Sequence, residues 1–311
     1  MAGRWPGPEP DPGPFPGGAV ARAGAVGWVL ADERPERALG GALAWARRAG
    51  VDEVHVIAEA ATGVLARRAG AFAPAPAVWR VEGRALERAP ADPPAAEPDP
   101  GPEVAAFVPV LVDAGADPVF ERGVLRGEVL GLEVARVVAD ASGTRLEVGV
   151  GQADREAQRL VHADRPTAEA LRRAVAAVLA VRRADAPEHQ VNRLAGERWM
   201  RSILVRRPEL VGARHLEPVP SPVERADLRQ AAPAPAAGVD PEGRPLLVVC
   251  STGIDVDLVP AAADARLADG RDARLVLVVP EADDHPVTRW LAGRLVQPAE
   301  VVTLPGDWRR L

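Results

Sequence analysis

Residues 25–58 read AVGWVLADERPERALGGALAWARRAGVDEVHVIA, and this stretch decides the fold class. It begins with a short apolar run, which predicts a strand covered on both faces. Apolar residues then recur at helical spacing from Pro35 until Gly50, a typical helix end. A second apolar run follows, and the pattern continues to residue 81. The predicted elements are strands at Val26–Ala31, Val54–Ala58 and Ala77–Val81, with helices between Pro35 and Gly50 and at Thr62–Phe72.

The same order recurs near the other end of the sequence. The predicted elements there are strands at Leu246–Cys250, Arg274–Val279 and Glu300–Leu304, with helices at Val256–Asp269 and His285–Val296. Each strand-to-strand step has the length of a right-handed β-α-β crossover. The sequence therefore predicts an α/β fold in which two Rossmann-like βαβαβ units, residues 24–84 and 245–311, flank a central domain. The two units are expected to form either one shared sheet or two separate sheets.

Composition excludes some functions and predicts a cellular location. Lysine is absent, which excludes a P-loop and Schiff-base catalysis because both need a lysine amine. The single cysteine, Cys250, is typical of a protein from a reducing compartment. The sequence shows neither a signal-peptide pattern nor a run of 18 apolar residues. We therefore expect a cytoplasmic protein without membrane contact, with a disordered tail at 1–23 and proline-rich linkers at 85–102 and 218–244.

The net charge of −6 is unevenly distributed along the chain. Residues 152–216 hold thirteen arginines against eight acidic residues, a local balance of +5, so the remainder sums to −11. Such a split is typical of a nucleic-acid-binding surface and also of arginine-rich helices with solvated faces. The helix expected at 188–206 offers Arg193, Arg198 and Arg201 as contacts to DNA. A salt-bridged surface helix is the alternative interpretation.

The central residues 103–217 predict a different order of elements, α-β-β-β-α, continuing into arginine-rich helices. The expected elements are a helix at Glu103–Ala114 and strands at Pro118–Glu121, Gly127–Val138 and Thr144–Gly151. The composition of residues 139–143, between the last two strands, is typical of a hairpin turn.

Two glutamates in this predicted hairpin form a candidate metal site. Apolar residues alternate along both strands, which places Glu133 and Glu147 together on the opposite face beside small residues. Two carboxylates so placed can hold a divalent cation. The alternative is that they are solvated or pair with Arg136 and Arg145.

The central region also resembles the PD-(D/E)xK nuclease core, in particular its resolvase-like members. The resemblance rests on the run from Glu103 through LVDAG (111–115), GEV (127–129), LEVA (132–135) and LEVG (146–149). In that family, acidic residues on a helix and a strand pair bind Mg²⁺, and a lysine positions or activates the attacking water.

The resemblance implies a role for each matching residue. Glu103 would be the helix acid, Glu133 (or Glu128) the first-strand acid and Glu147 the second, with Mg²⁺ as cofactor. Gly149 stands at the lysine position, so Arg155 in the following helix is the candidate basic group. The implied function is a metal-dependent nuclease or a degenerate relative that binds nucleic acid. The whole chain also resembles an uncharacterised protein family of high-G+C bacteria.

A second candidate site is the turn CSTGID at 250–255, between a predicted parallel strand and a helix. Ligands of α/β sheets bind at such turns, and helix N-terminal amides attract phosphate. Ser251, Thr252 and Gly253 are therefore candidate contacts to a phosphate-bearing ligand, whereas a simple helix cap is the structural alternative. This turn supports the second functional interpretation, a non-catalytic nucleotide-sensing or protein-interaction module.

Overall fold

The computed structural model describes residues 9–141, 143–151, 154–156, 167–183, 185–186, 189–225, 228 and 230–311. Over these residues the protein is a mixed α/β structure with three sheets. The chain divides into two compact units. Unit 1 comprises residues 1–94, 254–268 and 285–301, and unit 2 comprises 95–253, 269–284 and 302–311. Within the described ranges, none of the helices has the length and apolar character needed to cross a membrane.

Unit 1 contains a six-stranded sheet in sequential order. Its strands are β1 (Asp11–Phe15), β2 (Gly18–Ala23), β3 (Val26–Ala31), β4 (Glu53–Ala58), β5 (Ala77–Glu82) and β6 (Ala85–Arg88). The pairs β3–β4 and β4–β5 are parallel, as the repeat of strand and helix patterns predicts. Val29 and Val56 face each other in this register and are fully buried. The remaining pairs are antiparallel.

The expectation of a disordered tail at 1–23 is wrong for the strands β1 and β2. Val20 and Ala23 alternate with more exposed residues and are buried, which is the pattern of a half-covered strand. Pro12 and Pro14 lie in β1, which is an edge strand, where a missing N–H is tolerated. The predicted linker at 85–102 likewise begins with β6.

Helices of the two sequence copies meet within unit 1. These are α1 (Leu39–Ala49) and α2 (Thr62–Ala69) from the first copy, and α7 (Leu258–Asp269) and α8 (Pro286–Gly293) from the second. The Arg47 guanidinium of α1 stacks over the Trp290 ring of α8, 5.0 Å from its centroid. The helices of one copy therefore cover those of the other.

A backbone bridge relates the two copies symmetrically. The alignment that matches the strands at 78 and 301 also matches Phe72 with Leu295, and these two residues form an antiparallel bridge. The Ala73 N–H donates to the Arg294 carbonyl at 2.9 Å, and the equivalent N–H of Val296 donates to the Ala71 carbonyl at 2.8 Å. Because each bond is the symmetry counterpart of the other, the copies contact each other about a local pseudo-two-fold axis.

Six charged side chains, here called the repeat cluster, join α2 and the turn before α1 to α7 and the turn before it. Its members are Arg37, Arg67, Arg68, Asp255, Asp257 and Asp264. Arg67 binds Asp264 through two nitrogens, at 2.6 and 3.1 Å, and Arg68 reaches the same carboxylate at 3.1 Å. Arg37 donates to Asp255 at 2.7 Å. The cluster holds three cations and three anions, so it is balanced in charge.

Unit 2 contains a four-stranded antiparallel sheet in the order β10-β9-β8-β7. Its strands are β7 (Asp117–Glu121), β8 (Val124–Val129), β9 (Leu132–Asp140) and β10 (Gly143–Val148). The predicted single strand at Gly127–Val138 is wrong, because Leu130 and Gly131 form a turn. Both have positive φ, 48° and 73°, as a two-residue hairpin turn requires.

The helix predicted at Glu103–Ala114 is two short helices, α3 (Gly101–Ala105) and α4 (Val108–Asp113). Pro109 explains the break, because proline lacks the N–H that would continue the helix from α3 and fits only a first turn. With α5 (Thr167–Val181), these helices cover one face of the antiparallel sheet. Leu111, Leu125 and Leu171 lie fully buried in the core between them.

The second parallel sheet has the order β11-β12-β13-β14-β15. Its strands are β11 (His215–Pro218), β12 (Ala234–Val239), β13 (Pro245–Cys250), β14 (Arg274–Pro280) and β15 (Glu300–Leu304). The pair β13–β14 is parallel, and β11–β12 and β12–β13 are antiparallel. The predicted linker at 218–244 is therefore wrong for β12, whose residues Ala234–Gly238 are buried.

The two copies lie in separate sheets, which is the second of the two arrangements that the sequence left open. In each copy the strand preceding the parallel ladder, β2 or β12, occupies the edge of β3 or β13 at which the copies could otherwise join. In the first copy β6 also occupies the free edge of β5. The duplicated segment is therefore larger than the sequence pattern indicates, because each copy begins with two antiparallel strands.

Candidate functional site

The candidate metal ligand Glu133 lies beside a β-bulge. The register between β8 and β9 shifts at Gly127 and Glu128, so that one additional residue of β9 is unpaired. Val134 is this unpaired residue. The side chains of Leu132, Val134 and Ala135 all lie in the same core, although Val134 and Ala135 are consecutive. Ala135 was expected on the open face beside the glutamates, and the bulge is the reason that this placement is wrong.

Three guanidinium groups surround the Glu133 carboxylate. Arg136 Nε donates to Oε1 at 2.7 Å, and Arg155 Nη1 donates to the same oxygen at 3.0 Å. Arg126 Nε lies 3.3 Å from Oε2. Glu133 is 3% exposed, so its charge is neutralised by arginine rather than by water.

The other proposed metal ligands have hydrogen-bond partners of their own. Glu147 accepts a bond from Arg145 Nη2 at 3.1 Å, and Glu103 is exposed and accepts a bond from the Thr144 hydroxyl at 3.0 Å. Among the described residues, no three His, Cys, Asp or Glu side chains converge as the ligands of a metal would. Mg²⁺ takes oxygen ligands in octahedral geometry, and a carboxylate bonded to guanidinium groups does not fit it. The alternative pairing of Glu133 with Arg136 and of Glu147 with Arg145 is the one that the structure has.

Arg155 reaches Glu133 because the chain turns tightly after β10. Gly149 has a φ of 142°, and a Cβ at this position would lie 2.7 Å from the Arg155 backbone nitrogen. Asp154 accepts a 2.7 Å bond from the Val150 N–H and fixes the turn. Gly149, at the expected lysine position, thus leaves space for the Arg155 backbone, and Arg155 supplies the positive charge. Burial lowers the pKa of Arg155, as do the neighbouring Arg136 and Arg126.

Two of the proposed nucleic-acid contacts are buried in ion pairs, and the prediction is wrong for them. Both lie on α6 (Gly196–Arg206). Arg198 bonds to Glu128 at 2.9 Å and also to Glu121, while Arg201 bonds to the other oxygen of Glu128 at 2.8 Å. Burial alone would raise the pKa of Glu121, but Arg198 and Arg126 outweigh it and lower that pKa.

The sequence does contain a signal for these buried ion pairs. Glu121 and Glu128 stand in predicted strands among apolar residues, and buried carboxylates need cationic partners. The opposite side of α6, with Trp199, Met200 and Leu204, packs into the core of the second parallel sheet. The helix therefore has no solvated face, although its arginines give the sequence the appearance of one.

The third proposed contact, Arg193, is exposed and lines a surface cleft of unit 2. Two adjoining clefts of about 540 and 620 Å³ share four residues, and together they are here called the Trp199 groove. The arginines that line it are Arg182, Arg183, Arg193, Arg206, Arg207, Arg309 and Arg310. Trp199 lines both clefts and contacts Trp308 edge to face, 5.9 Å between centroids, and both rings are almost completely buried.

The Trp199 groove carries excess positive charge. Its own described lining holds two acidic residues, Asp185 and Asp307. Arg206 and Arg207 are also paired, with Asp117 at 2.8 Å and Glu209 at 3.2 Å. Seven arginines therefore line the groove, and four carboxylates lie in the lining or are bonded to Arg206 and Arg207.

Arg182 lies beneath this groove and is fully buried. Its guanidinium donates to four main-chain carbonyls, those of Leu130, Val191, Leu194 and Ala195, at 2.9–3.2 Å. It also stacks on Trp199, 4.4 Å from the ring centroid. Burial lowers the pKa of Arg182 to about 9, and Glu128 and Glu197 offset this only in part. It remains charged at neutral pH, so it adds to the potential of the groove.

Two amides of the CSTGID turn, those of Ser251 and Gly253, are already hydrogen-bonded within the protein. The Gly253 N–H donates to the Asp283 carboxylate at 2.7 Å, and the Thr252 hydroxyl donates to Glu197 at 3.1 Å. Ser251 is buried. The helix α7 begins only at Leu258, so these three residues are not its first turn. The Asp283 carboxylate thus accepts the hydrogen bond from the Gly253 amide, which was expected to bind a phosphate.

The neighbouring Cys250 is a core residue. It is completely buried, and burial raises the pKa of its thiol to about 12, so it is not a nucleophile at neutral pH.

Comparison with known proteins gives no relative: no family model, curated protein or solved structure matches the chain. The charges and contacts of the groove and of the Glu133 site therefore indicate the function of the protein.

Proposed function

We propose that this protein binds DNA through phosphate contacts in the Trp199 groove and does not cleave it. The observation that supports this function is the number of arginines that line the groove, which include the buried Arg182 bonded to four main-chain carbonyls. Arginine forks match phosphate oxygens, and a groove of one charge sign concentrates an anionic polymer.

The finer fold assignment belongs to the same proposal. Two Rossmann-like units flank a nuclease-like centre whose acidic residues are held in ion pairs. The Glu133 carboxylate, bonded to Arg136 and Arg155, is suited to stabilise the fold, and the arginines around it are suited to attract an anion. A two-carboxylate Mg²⁺ site would instead attract a cation. The nuclease-like centre is thus proposed to be degenerate.

Binding through this groove should be independent of base sequence. Trp199 and Trp308 are 1% and 2% exposed, so neither ring can stack on an unpaired base. Phosphate contacts position a protein on DNA but do not read its sequence. We therefore expect equal affinity for duplexes of different sequence at the same salt concentration.

Fluorescence anisotropy with labelled duplex DNA over a series of salt concentrations tests this function. For about four phosphate contacts the logarithm of affinity should fall with the logarithm of salt with a slope of roughly −3 to −4. The variant Arg193→Gln/Arg310→Gln should bind about tenfold or more weakly, with a salt slope shallower by about two.

The matched control is Arg173→Gln. Arg173 lies in the same positively charged segment, on α5, but pairs with Glu169 on the surface outside the groove. This variant should bind DNA like the wild type. Equal losses in both variants, or undetectable binding at low salt, would contradict the proposal.

Incubation of plasmid DNA with Mn²⁺ tests the absence of cleavage. The expected result is intact DNA, and binding that is unchanged by a chelator. Cleavage that disappears in Glu133→Gln would show that the nuclease interpretation is correct and this proposal wrong.

A further inference from the structure

A second arginine-rich cavity lies in unit 2, away from the groove residues, and is here called the Glu133 cavity. It has a volume of about 260 Å³. Its walls come from the ends of β7, β8 and β9, from α6, and from the segments around residues 155 and 225. The arginines that line it are Arg122, Arg126, Arg136, Arg155, Arg198 and Arg225.

The wall of this cavity carries excess positive charge. Three glutamates, Glu121, Glu133 and Glu224, stand against the six arginines. Charged groups bonded to the wall from outside reduce this excess. Glu97, Glu128 and Glu197 add three negative charges and Arg201 adds one positive charge, which leaves an excess of one among the described residues.

Arg225 has one guanidinium nitrogen that its described neighbours do not satisfy. Its Nη2 donates to Glu197 at 3.1 Å and to the Ala232 carbonyl at 2.5 Å. Its Nη1 is buried and has no hydrogen-bond acceptor among the described residues. The side chain is 8% exposed, so this donor does not face bulk water.

The Arg126 Nε is a second buried donor without a hydrogen-bond acceptor among the described residues. It lies 3.3 Å from the Glu133 carboxylate but does not form a hydrogen bond with it. An unused donor on a buried charged group is costly, and native structures usually satisfy it with protein, water or a ligand.

The charged form of Arg225 is also disfavoured by its surroundings. Burial lowers the pKa of Arg225, and so does the neighbouring Arg198. An anion within the cavity would relieve both the repulsion and the missing bonds.

We propose that the Glu133 cavity binds a phosphate group as a dianion. Guanidinium forks from several directions fit a tetrahedral oxyanion, which offers more acceptor sites than a carboxylate. The volume corresponds to roughly nine water molecules at about 30 Å³ each, enough for one phosphate with a few waters. It is below the range of about 300–1,000 Å³ typical of larger organic ligands.

The ligand has two possible sources, free inorganic phosphate and a phosphate monoester. Arg122 and Glu224 are exposed residues of the lining, so they mark the side on which an ester group would leave the cavity. The chemistry of recognition is the same for both sources, and the experiment compares them.

Thermal unfolding and isothermal titration calorimetry of the full chain test the proposal. Inorganic phosphate and methyl phosphate are each compared with sodium chloride at equal ionic strength. Phosphate should raise Tm with increasing concentration, because a ligand that binds only the folded state stabilises it. A Tm that rises equally in chloride would overturn the proposal. Saturable binding of methyl phosphate identifies a monoester as a ligand, and saturable binding of phosphate alone identifies the free anion.

Substitutions of single arginines test whether phosphate binds in the Glu133 cavity. Arg155→Met should weaken phosphate binding about tenfold or more, because a charge-assisted bond is lost. Arg136→Gln serves as a second variant should Arg155→Met fail to fold, since the Arg136 side chain is 33% exposed. The matched control is Arg145→Met on the same sheet, which lies outside the cavity, and its affinity should equal that of the wild type.

The groove variant Arg193→Gln/Arg310→Gln separates this proposal from the proposed function. It should lose affinity for DNA and keep its affinity for phosphate. Loss of phosphate binding in this variant, with Arg155→Met unaffected, would assign the anion to the groove and overturn the cavity proposal. Failure of DNA binding in the wild type would leave the phosphate measurement unchanged.

Discussion

The repeat cluster and the Glu133 cavity are two arginine–carboxylate networks with different charge balances. In the repeat cluster three arginines meet three aspartates, and Asp264 alone satisfies two arginines. In the cavity, with the charged groups bonded to its wall, seven arginines meet six glutamates, and one guanidinium nitrogen of Arg225 has no acceptor among the described residues. A balanced network can stabilise by itself, whereas an unbalanced one is completed by a ligand. Charge balance, rather than the number of arginines, therefore separates a structural network from a candidate site.

The largest expected effect is the loss of Asp264 from the repeat cluster. Asp264→Ala leaves Arg67 and Arg68 buried without their main partner, and their side chains are only 12% and 2% exposed. Breaking a buried pair by removing one partner costs about 3–5 kcal/mol. Urea denaturation should show this loss in the free energy of unfolding.

The control for this substitution is Glu82→Gln, which breaks the exposed pair with Arg80 at 2.8 Å. An exposed pair contributes about 0–1 kcal/mol. If both variants lose similar amounts of stability, the repeat cluster does not hold the two copies together.

A second expected effect is a pH-dependent loss of stability caused by Asp257, a buried carboxylate of the repeat cluster. Burial raises the pKa of Asp257 to about 7, and Arg68 and Arg37 offset this only in part. Among the described residues, no donor forms a hydrogen bond to its Oδ1. A raised pKa in the folded state means that the folded protein holds this proton to higher pH than the unfolded chain, so the contribution to stability falls as pH rises.

The pH window for this effect lies between about 4 and 7. Relative to Asp257→Asn, the wild type should lose about 2.5 kcal/mol of stability between pH 5 and pH 8, most of it below pH 7. Denaturation of both proteins at several pH values gives this difference, in which the other titrating groups cancel. A difference that is constant over this range would show that Asp257 is charged throughout.

The strand and helix order of the two copies could be predicted from the sequence because each element has a local pattern. Apolar runs such as Val26–Ala31 need cover on both faces, and glycines such as Gly50 end helices. The strands β1 and β12 could not be predicted in this way. Both are rich in proline, glycine or alanine, and they are ordered by hydrogen bonds to the neighbouring strand, which leave no periodic signal.

The candidate site was predicted less well, for a physical reason that Glu133 illustrates. Period-two alternation assigns a face correctly only while the register is regular, and the bulge at Gly127 and Glu128 shifts it by one residue. The pairing of Glu133 with Arg136 was one of two alternatives that the sequence allowed. A choice between them needs the positions of Arg126 and Arg155, which come from other elements. The same limit explains Arg198 and Arg201, whose partners lie about 70 residues away.

The smallest expected effect is the loss of Arg155 from the unbalanced cavity. Glu133 keeps Arg136 and Arg126 in this variant, so no carboxylate is left without a partner. Removing one of several mutually repelling cations offsets the lost ion pair, and Met retains much of the apolar stem. In phosphate-free buffer Arg155→Met should therefore change the free energy of unfolding by less than about 1.5 kcal/mol, the size of a single hydrogen bond. At saturating phosphate the wild type should gain stability and the variant should gain less. A loss of 3 kcal/mol or more without phosphate, as expected for Asp264→Ala, would mean that the two networks are alike and that charge balance does not distinguish them.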